Sequence, residues 1–310
     1  VSSTFELAVI GGPWARRLDR RRAWIGDLPW DEPLPRDDEA ARLVWTRTAF
    51  SEYASAAAFA EIATAMLAAG APIDLIAAAG DFVVDELVHT EVAARLAGAL
   101  GGAVALEVDL TRLVRPVSAE SAGDPIARAA ELIVRTSCVG EALTVPMLKQ
   151  SRQIAGSALV EAALSAIIAD EASHAQLGWW FLDWAEPALD DAARERLGRV
   201  AGAAIRSFAP LLAGGCSVGG DGRPGGAGSR GSLGVLGCDR YDRALVDSLP
   251  HAVVGPLARR GIAVPPEDLA AVRGPSEPEK LGQPAGVPAA PDRRSEGTRG
   301  VREEAGAASA

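Results

Sequence analysis

Asp85-Glu86-Leu87-Val88-His89 and Asp170-Glu171-Ala172-Ser173-His174 share one pattern. Residues three apart on a helix lie on one face. Each Glu-x-x-His therefore aims a carboxylate and an imidazole at a common point. The neighbours are core-like: Phe82, Val83 and Val84 around the first, Ile167, Ile168, Leu177, Trp179 and Trp180 around the second. A solvated polar face does not carry such flanks, and an unpaired carboxylate among them would be costly. With three His and 21 Glu in 310 residues, two such pairs are roughly a 1–2% coincidence of composition. Together they supply half of a dinuclear metal site inside a four-helix bundle.

The other half requires one Glu from each remaining helix. An internal repeat provides them. Phe50-Ser51-Glu52-Tyr53-Ala54-Ser55 matches Val139-Gly140-Glu141-Ala142-Leu143-Thr144 in pattern. Glu52 precedes Glu86 by 34 residues, and Glu141 precedes Glu171 by 30. Glu61 competes with Glu52, and height above the hairpin turn favours Glu52. Glu52 stands ~24 Å from the turn and Glu86 ~20 Å, whereas Glu61 stands only ~10 Å away. Glu61 is also two and a half turns on and faces solvent.

Working outward, residues 1–36 read as a largely irregular N-terminal arm. Its cluster Arg16, Arg17, Arg20, Arg21 and Arg22 suits a solvated face or salt-bridge donors. Residues 37–213 read as the bundle. One helix starts near Asp37-Asp38-Glu39, where acids suit the positive helix end, and runs to Gly70. The next runs from Pro72, a favoured first-turn residue, to about Leu100. Residues 103–124 lack a helical period and return the chain along the bundle. A third helix runs from Asp124-Pro125 to Gly156, with a kink at Pro146. A fourth runs from Ser157 to Ala185 and an additional one from Pro187 to Ala213. Residues 214–237 hold 11 Gly in 24 and read as a flexible linker. Residues 238–262 form a short helical segment. Residues 263–310 hold seven Pro and no aromatic residue, the composition of a disordered, dispensable tail. The fold class expected is all-α.

The chain is 48% hydrophobic, ample for a core. Its net charge of −10 argues against nucleic acid as a partner. No membrane span and no signal peptide are visible. Cys138, Cys216 and Cys238 form no Cys-x-x-Cys, so neither a disulfide framework nor a rubredoxin-like iron site is implied. A cytoplasmic location fits. Lys occurs only at 149 and 280 while Arg, Ala and Gly abound, which points to a high-GC bacterial genome. Val1 in place of Met points to a fragment or a GTG start translated literally.

The paired Glu…Asp-Glu-x-x-His motifs over about residues 38–185 resemble the ferritin-like di-iron carboxylate superfamily. The resemblance implies a ferritin-like four-helix bundle holding two Fe ions, or two Mn, or mixed Mn/Fe. The metal ligands it implies are Glu52, Glu86, His89, Glu141, Glu171 and His174. Relatives with Asp before the ligand Glu use that Asp to hold the histidine of the other motif. Carried over, Asp85 holds His174 and Asp170 holds His89, fixing the imidazole tautomer.

Cys138 and Thr144 flank Glu141 three residues away on either side. Some di-iron oxygenases place a small hydroxyl or thiol there, beside the O2 pocket. The competing reading makes Thr144 a back-bond to a helix carbonyl and Cys138 a small core residue. Tyr53 is rotated away from Glu52 and reads as packing. Trp179, Trp180, Phe181 and Trp184 read as core or interface. His251 lies outside both motifs.

The function expected first is an O2-activating non-haem di-iron oxidoreductase acting on a small organic substrate. An external electron donor is implied, since no nucleotide-binding glycine motif or iron–sulfur cysteine set is present. A homodimer is compatible with the bundle. The alternatives are a ferroxidase or iron-handling protein, a dimanganese catalase, and a bundle with a vestigial site used for interaction. The ligand set suits Fe and Mn alike.

Overall fold

The computed structural model describes residues 3–8, 11–208 and 233–273. The chain is mostly helical: α1 (Gly12–Leu18), α2 (Ala23–Gly26), α3 (Glu39–Ala69), α4 (Ile73–Ala99) and α5 (Ala119–Ala122) come first. Then come α6 (Pro125–Ile133), a π-helical segment (Val134–Glu141), α7 (Ala142–Gln153), α8 (Ala158–Ala185) and α9 (Asp191–Arg206). Beyond the Gly-rich stretch lie α10 (Cys238–Leu249), a second π-helical segment (Pro250–Val254), α11 (Gly255–Ala258) and α12 (Pro266–Arg273). One two-stranded antiparallel ladder pairs Ser3 with Val108 and Thr4 with Glu107. Among the described residues, no helix is long and apolar enough to cross a membrane.

Local signals set the ends of the long helices. Asp38 caps α3 by accepting from the Ala41 N–H at 2.9 Å. Gly70 stops it with φ 65°, a left-handed conformation that favours glycine. Asp124 and Ser157 cap α6 and α8 in the same way as Asp38 caps α3. The four long rods close a ring. α3 packs on α4 and α6, and α8 packs on α4, α7 and the first π segment.

Their apolar faces form two clusters rather than one. Trp45, Val88, Val92, Leu96, Leu159, Leu164 and Ile167 belong to one. Phe59, Ile62, Met66, Phe82, Ile133, Leu143, Leu177 and Phe181 belong to the other. On α3 the changeover falls between Ala49 and Phe59, on α4 between Phe82 and Val88, and on α8 between Ile167 and Leu177. Glu52, Glu86, Glu171 and His174 occupy these gaps. The buried polar residues thus lie in one layer across the middle of the core.

Four expectations are refined or corrected. The arm is largely irregular, but it carries the short helices α1 and α2 and docks. Ile25 is buried, Trp30 Nε1 donates to the Ile25 carbonyl at 2.6 Å, and Glu32 accepts from the Leu159 N–H at 2.6 Å. The third helix is not uniformly α, because the turns over 134–141 widen upstream of Pro146. There the Ala142 N–H reaches the Ser137 carbonyl, five residues back. The linker ends earlier than 237: Trp45 Nε1 donates to the Leu233 carbonyl at 3.1 Å. Gly234, at φ +81°, fits against Val160 and Leu164, where a Cβ would stand 3.2 Å from each. Residues 214–232 lie outside the described residues.

The fourth correction concerns the tail, expected from 263. Val264 and Val272 are buried, and α12 packs along α9. Gly198 and Gly202 on α9 allow it. A Cβ at either would collide with the Ala263 carbonyl or the Asp268 carboxylate. Asp268 also pairs with Arg206. The helical pattern of Pro266–Arg273 is too short to stand out from its Pro-rich surroundings. Residues 274–310 lie outside the described residues. α9 itself spans Asp191–Arg206, starting after the expected Pro187, and residues 209–213 of the expected helix lie outside the described residues.

Candidate metal centre

Each rod brings its part to the central layer. α3 carries Glu52, α4 carries Glu86 and His89, the π segment ends on Glu141, and α8 carries Glu171 and His174. All six are buried, and Glu86, His89 and His174 are fully so. Their donor atoms fall into two sets of four: Glu52, Glu86, His89 and Glu171, and Glu86, Glu141, Glu171 and His174. Within each set one donor atom per residue lies within 4.8 Å of the others. Glu86 and Glu171 belong to both sets.

Both imidazoles turn Nδ1 inward. His174 Nδ1 is 3.0 Å from Glu86 Oε1 and 3.0 Å from Glu171 Oε2. His89 Nδ1 is 3.2 Å from Glu171 Oε1 and 3.6 Å from Glu86 Oε2. The outward nitrogens meet the aspartates. His89 Nε2 is 3.2 Å from Asp170 Oδ2, and His174 Nε2 is 3.7 Å from Asp85 Oδ2. Phe82 and Phe59 flank the His174 ring, with centroids at 4.3 and 5.2 Å.

Electrostatically the cluster is overloaded with acid. Burial, then Glu86 and Glu171, raise Glu52 well above the carboxylate range. Burial, then Glu171 and Glu86, do the same to Glu141. Burial alone would raise Glu171 too, but hydrogen bonds from His174 and His89 reverse that and hold it low. Burial disfavours charge on His174, yet Asp85, Glu171 and Glu86 push it up to about 12. His89 is raised likewise, with Asp170 and Glu171 outweighing its burial.

The residues fit divalent metal ions. Both oxygens of Glu86 and Nδ1 of His89 are buried without a well-aligned hydrogen-bond partner, an arrangement costly for protein alone. These atoms point into the shared space of the two sets. Carboxylates and imidazole are the donors that Fe and Mn take.

Glu61 is not in the cluster; it pairs with Arg128 at 3.0 Å on the outside. Cys138 is buried three residues before Glu141. Its Sγ packs on Gly178 of α8, where a Cβ would stand only 2.6 Å away. Burial raises its thiol pKa. In the widened turn, three residues span less of the circle than in an α-helix. The α-helical spacing that put 138 and 141 on one face does not apply there. Thr144 donates to the Gly140 carbonyl at 3.0 Å and also lines a cavity.

That cavity has a volume of about 670 Å³. α3 forms one wall with Val44, Thr48 and Glu52; α7 forms another with Thr144 and Met147. The segment after the Gly-rich stretch completes it with Val235, Leu236 and Tyr241. Glu52 thus touches both the metal-type cluster and the cavity. Tyr53 packs on Phe5 at 5.3 Å. Trp179 lies under Arg260 at 5.2 Å, Trp180 is exposed, and His251 is exposed outside the cluster.

Two residues named in the sequence, Phe82 as a core flank and Arg21 among the arm's salt-bridge donors, were not placed beside the cluster. Phe82 is one turn before Glu86, and its place on the motif-bearing face was the available signal. Arg21 reaches Asp85 at 3.2 Å from the arm, and nothing in the helical motifs points to it. Comparison of the chain with protein-family models, curated proteins and solved structures gave no match.

Proposed function

We propose that the chain is a ferritin-like di-iron carboxylate protein, an O2-activating oxidoreductase acting on a small organic substrate. The observation that carries this reading is the cavity of about 670 Å³ sharing Glu52 with the buried Glu/His cluster. Its size suits a small molecule. Iron handling without an organic substrate has no use for such a chamber beside the cluster.

Glu52, Glu86, His89 and Glu171 would hold one iron ion, and Glu86, Glu141, Glu171 and His174 the other. Four glutamates balance the charge of two divalent ions, which relieves the carboxylate repulsion described above. When bound, the ions supply electrons to O2 and offer open coordination positions. Asp170 hydrogen-bonds the outward Nε2 of His89 and Asp85 faces that of His174, leaving each Nδ1 lone pair for metal. Phe59 and Phe82 keep bulk water from the His174 side. The cavity walls orient substrate next to Glu52. Electrons come from an external redox partner, since no flavin or iron–sulfur motif is visible in the sequence.

The test is metal analysis of protein purified from its native host, followed by O2 consumption with a chemical reductant. Two iron ions per chain and reductant-dependent O2 uptake are expected, with oxidised product when the right small molecule is supplied. Storage of many iron atoms per chain would replace this reading with iron handling. Rapid disproportionation of hydrogen peroxide with manganese bound would replace it with a dimanganese catalase.

A further inference from the structure

Arg21 lies in the turn between α1 and α2, far in sequence from every residue of the cluster. Its guanidinium forks over one face of α4. Nη2 contacts Asp81, and Nη1 is 3.2 Å from Asp85 Oδ1. The other oxygen of Asp85 faces His174 Nε2 at 3.7 Å. Asp81 and Asp85 are four apart on the helix, where like charges repel. Asp85 is also mostly buried, with its side chain 13% exposed. A carboxylate in that place without a cation beside it would swing outward to water.

Charge counting points the same way. Glu52, Glu86, Glu141, Glu171, Asp85 and Asp170 carry six negative charges when ionised. Two divalent ions offset four of them. Among the described residues, Arg21 is the Arg or Lys that forms an ion pair with one of these six. Asp170 faces His89 without an arginine pair of this kind.

We propose that Arg21 is a positioning residue for one half of the metal centre. It fixes Asp85 so that its free oxygen meets His174 Nε2, and Nδ1 of that ring stays aimed at Glu86 and Glu171. The arm is then part of the site, and its loss weakens the ion on the Glu141–His174 side more than the other. This rests on the metal centre proposed above.

The test is anaerobic titration of the full metal-free chain with Co(II), read by its visible absorption, for wild type, Arg21→Met, Arg21→Lys and Arg22→Met. Arg22 pairs with Asp19 and Glu91 instead, so it controls for loss of a surface ion pair in the same arm. Arg21→Met should weaken one of two bound ions about 10–100-fold, the range for outer-shell metal partners. The second ion should bind as before. Arg21→Lys should recover part of the loss, and Arg22→Met should match wild type. Equal binding in Arg21→Met and wild type would overturn the proposal, as would equal weakening in Arg22→Met. A wild type that binds no metal would instead overturn the metal centre itself, and this inference with it.

Discussion

Asp170 lies 3.2 Å from Nε2 of His89, although its own motif supplies His174. Asp85 returns the relationship toward His174 at 3.7 Å. Each Asp-Glu-x-x-His therefore gives its Glu and His to the centre and its Asp to the opposite rod. α4 and α8 are tied together from outside the cluster as well as inside it. The hydrogen bond between Asp170 and His89 Nε2 favours the tautomer that leaves Nδ1 of His89 free, whereas Asp85 faces His174 Nε2 from 3.7 Å as an ion-pair partner only.

Glu86 and Glu171 belong to both donor sets, whereas Glu52 and Glu141 belong to one each. Removing a shared carboxylate should cost both ions; removing an unshared one should cost one. Glu86→Gln should bring metal content near zero, and Glu52→Gln and Glu141→Gln should each leave about one ion per chain. His89→Ala and His174→Ala should lower the content without abolishing helicity. Elemental analysis beside circular dichroism checks this. Wild-type stoichiometry in Glu86→Gln would rule out the assigned set.

The pKa shifts give the metal-free protein an unusual pH dependence. Glu52, Glu141, His89 and His174 are all raised on folding. Their contribution is complete below the unfolded values, about 4.3 for Glu and 6.5 for His, and lost as pH rises through the folded ones. Glu171 is lowered and opposes them, but its contribution is lost only in strong acid. The metal-free protein should therefore lose stability as pH rises above about 4.3, where the loss from the glutamates begins, and further above about 6.5, where that from the histidines begins, the His174 part running up to about 12. Metal affinity should rise over the same range, because the ligands bind ions deprotonated. Melting curves with and without metal at each pH decide it. A metal-free melting temperature that climbs with pH would contradict the cluster's electrostatics.

The C-terminal boundary is now specific. A chain ending at Gly274 should keep the thermal stability and metal content of the full protein. A chain ending at Ile262 loses the packing of Val264, Val272 and α12 on α9. Burial of two valine side chains contributes about 3–6 kcal/mol before the cost of ordering the segment. The melting temperature should fall by about 2–4 °C for each 1 kcal/mol lost. Gly202→Ala should give a comparable loss by pushing Asp268 off α9. If the shorter chain melts with the longer one, α12 contributes nothing to the fold.

The helical class, the ends of α3 and α4 and the meeting of the Glu/His residues were legible in the sequence. They depend on short-range signals: the 3.6-residue period, the caps Asp38, Asp124 and Ser157, and the stop at Gly70. Height and phase rightly put Glu61 outside the cluster. What was not legible depends on backbone detail or distant pairing. No propensity rule marks the widened turns over 134–141, so the α-helical spacing assumed for Cys138 and Glu141 does not hold there. Arg21 meets Asp85 across more than sixty residues of chain. Leu233 and Val264 dock from stretches whose composition reads as linker and tail, because a few buried contacts sit among many Gly and Pro.

Thr144 gives the sharpest test of the enzymatic reading. Its hydroxyl donates to the Gly140 carbonyl, next to Glu141, while its side chain lines the cavity that Glu52 also lines. Thr144→Val keeps the shape and removes the hydroxyl, and it touches no atom of either donor set. The lost side-chain bond should cost about 1 kcal/mol of stability. Metal content should stay at wild-type level. On the proposed function, product formed per O2 consumed should fall severalfold, because a methyl replaces a polar group lining the cavity that Glu52 shares. Metal analysis and paired measurements of O2 uptake and product separate these effects. Unchanged product yield would show that the hydroxyl serves only its own helix. Equal loss of metal and turnover would show that it supports the fold of the π segment rather than the chemistry of the cavity.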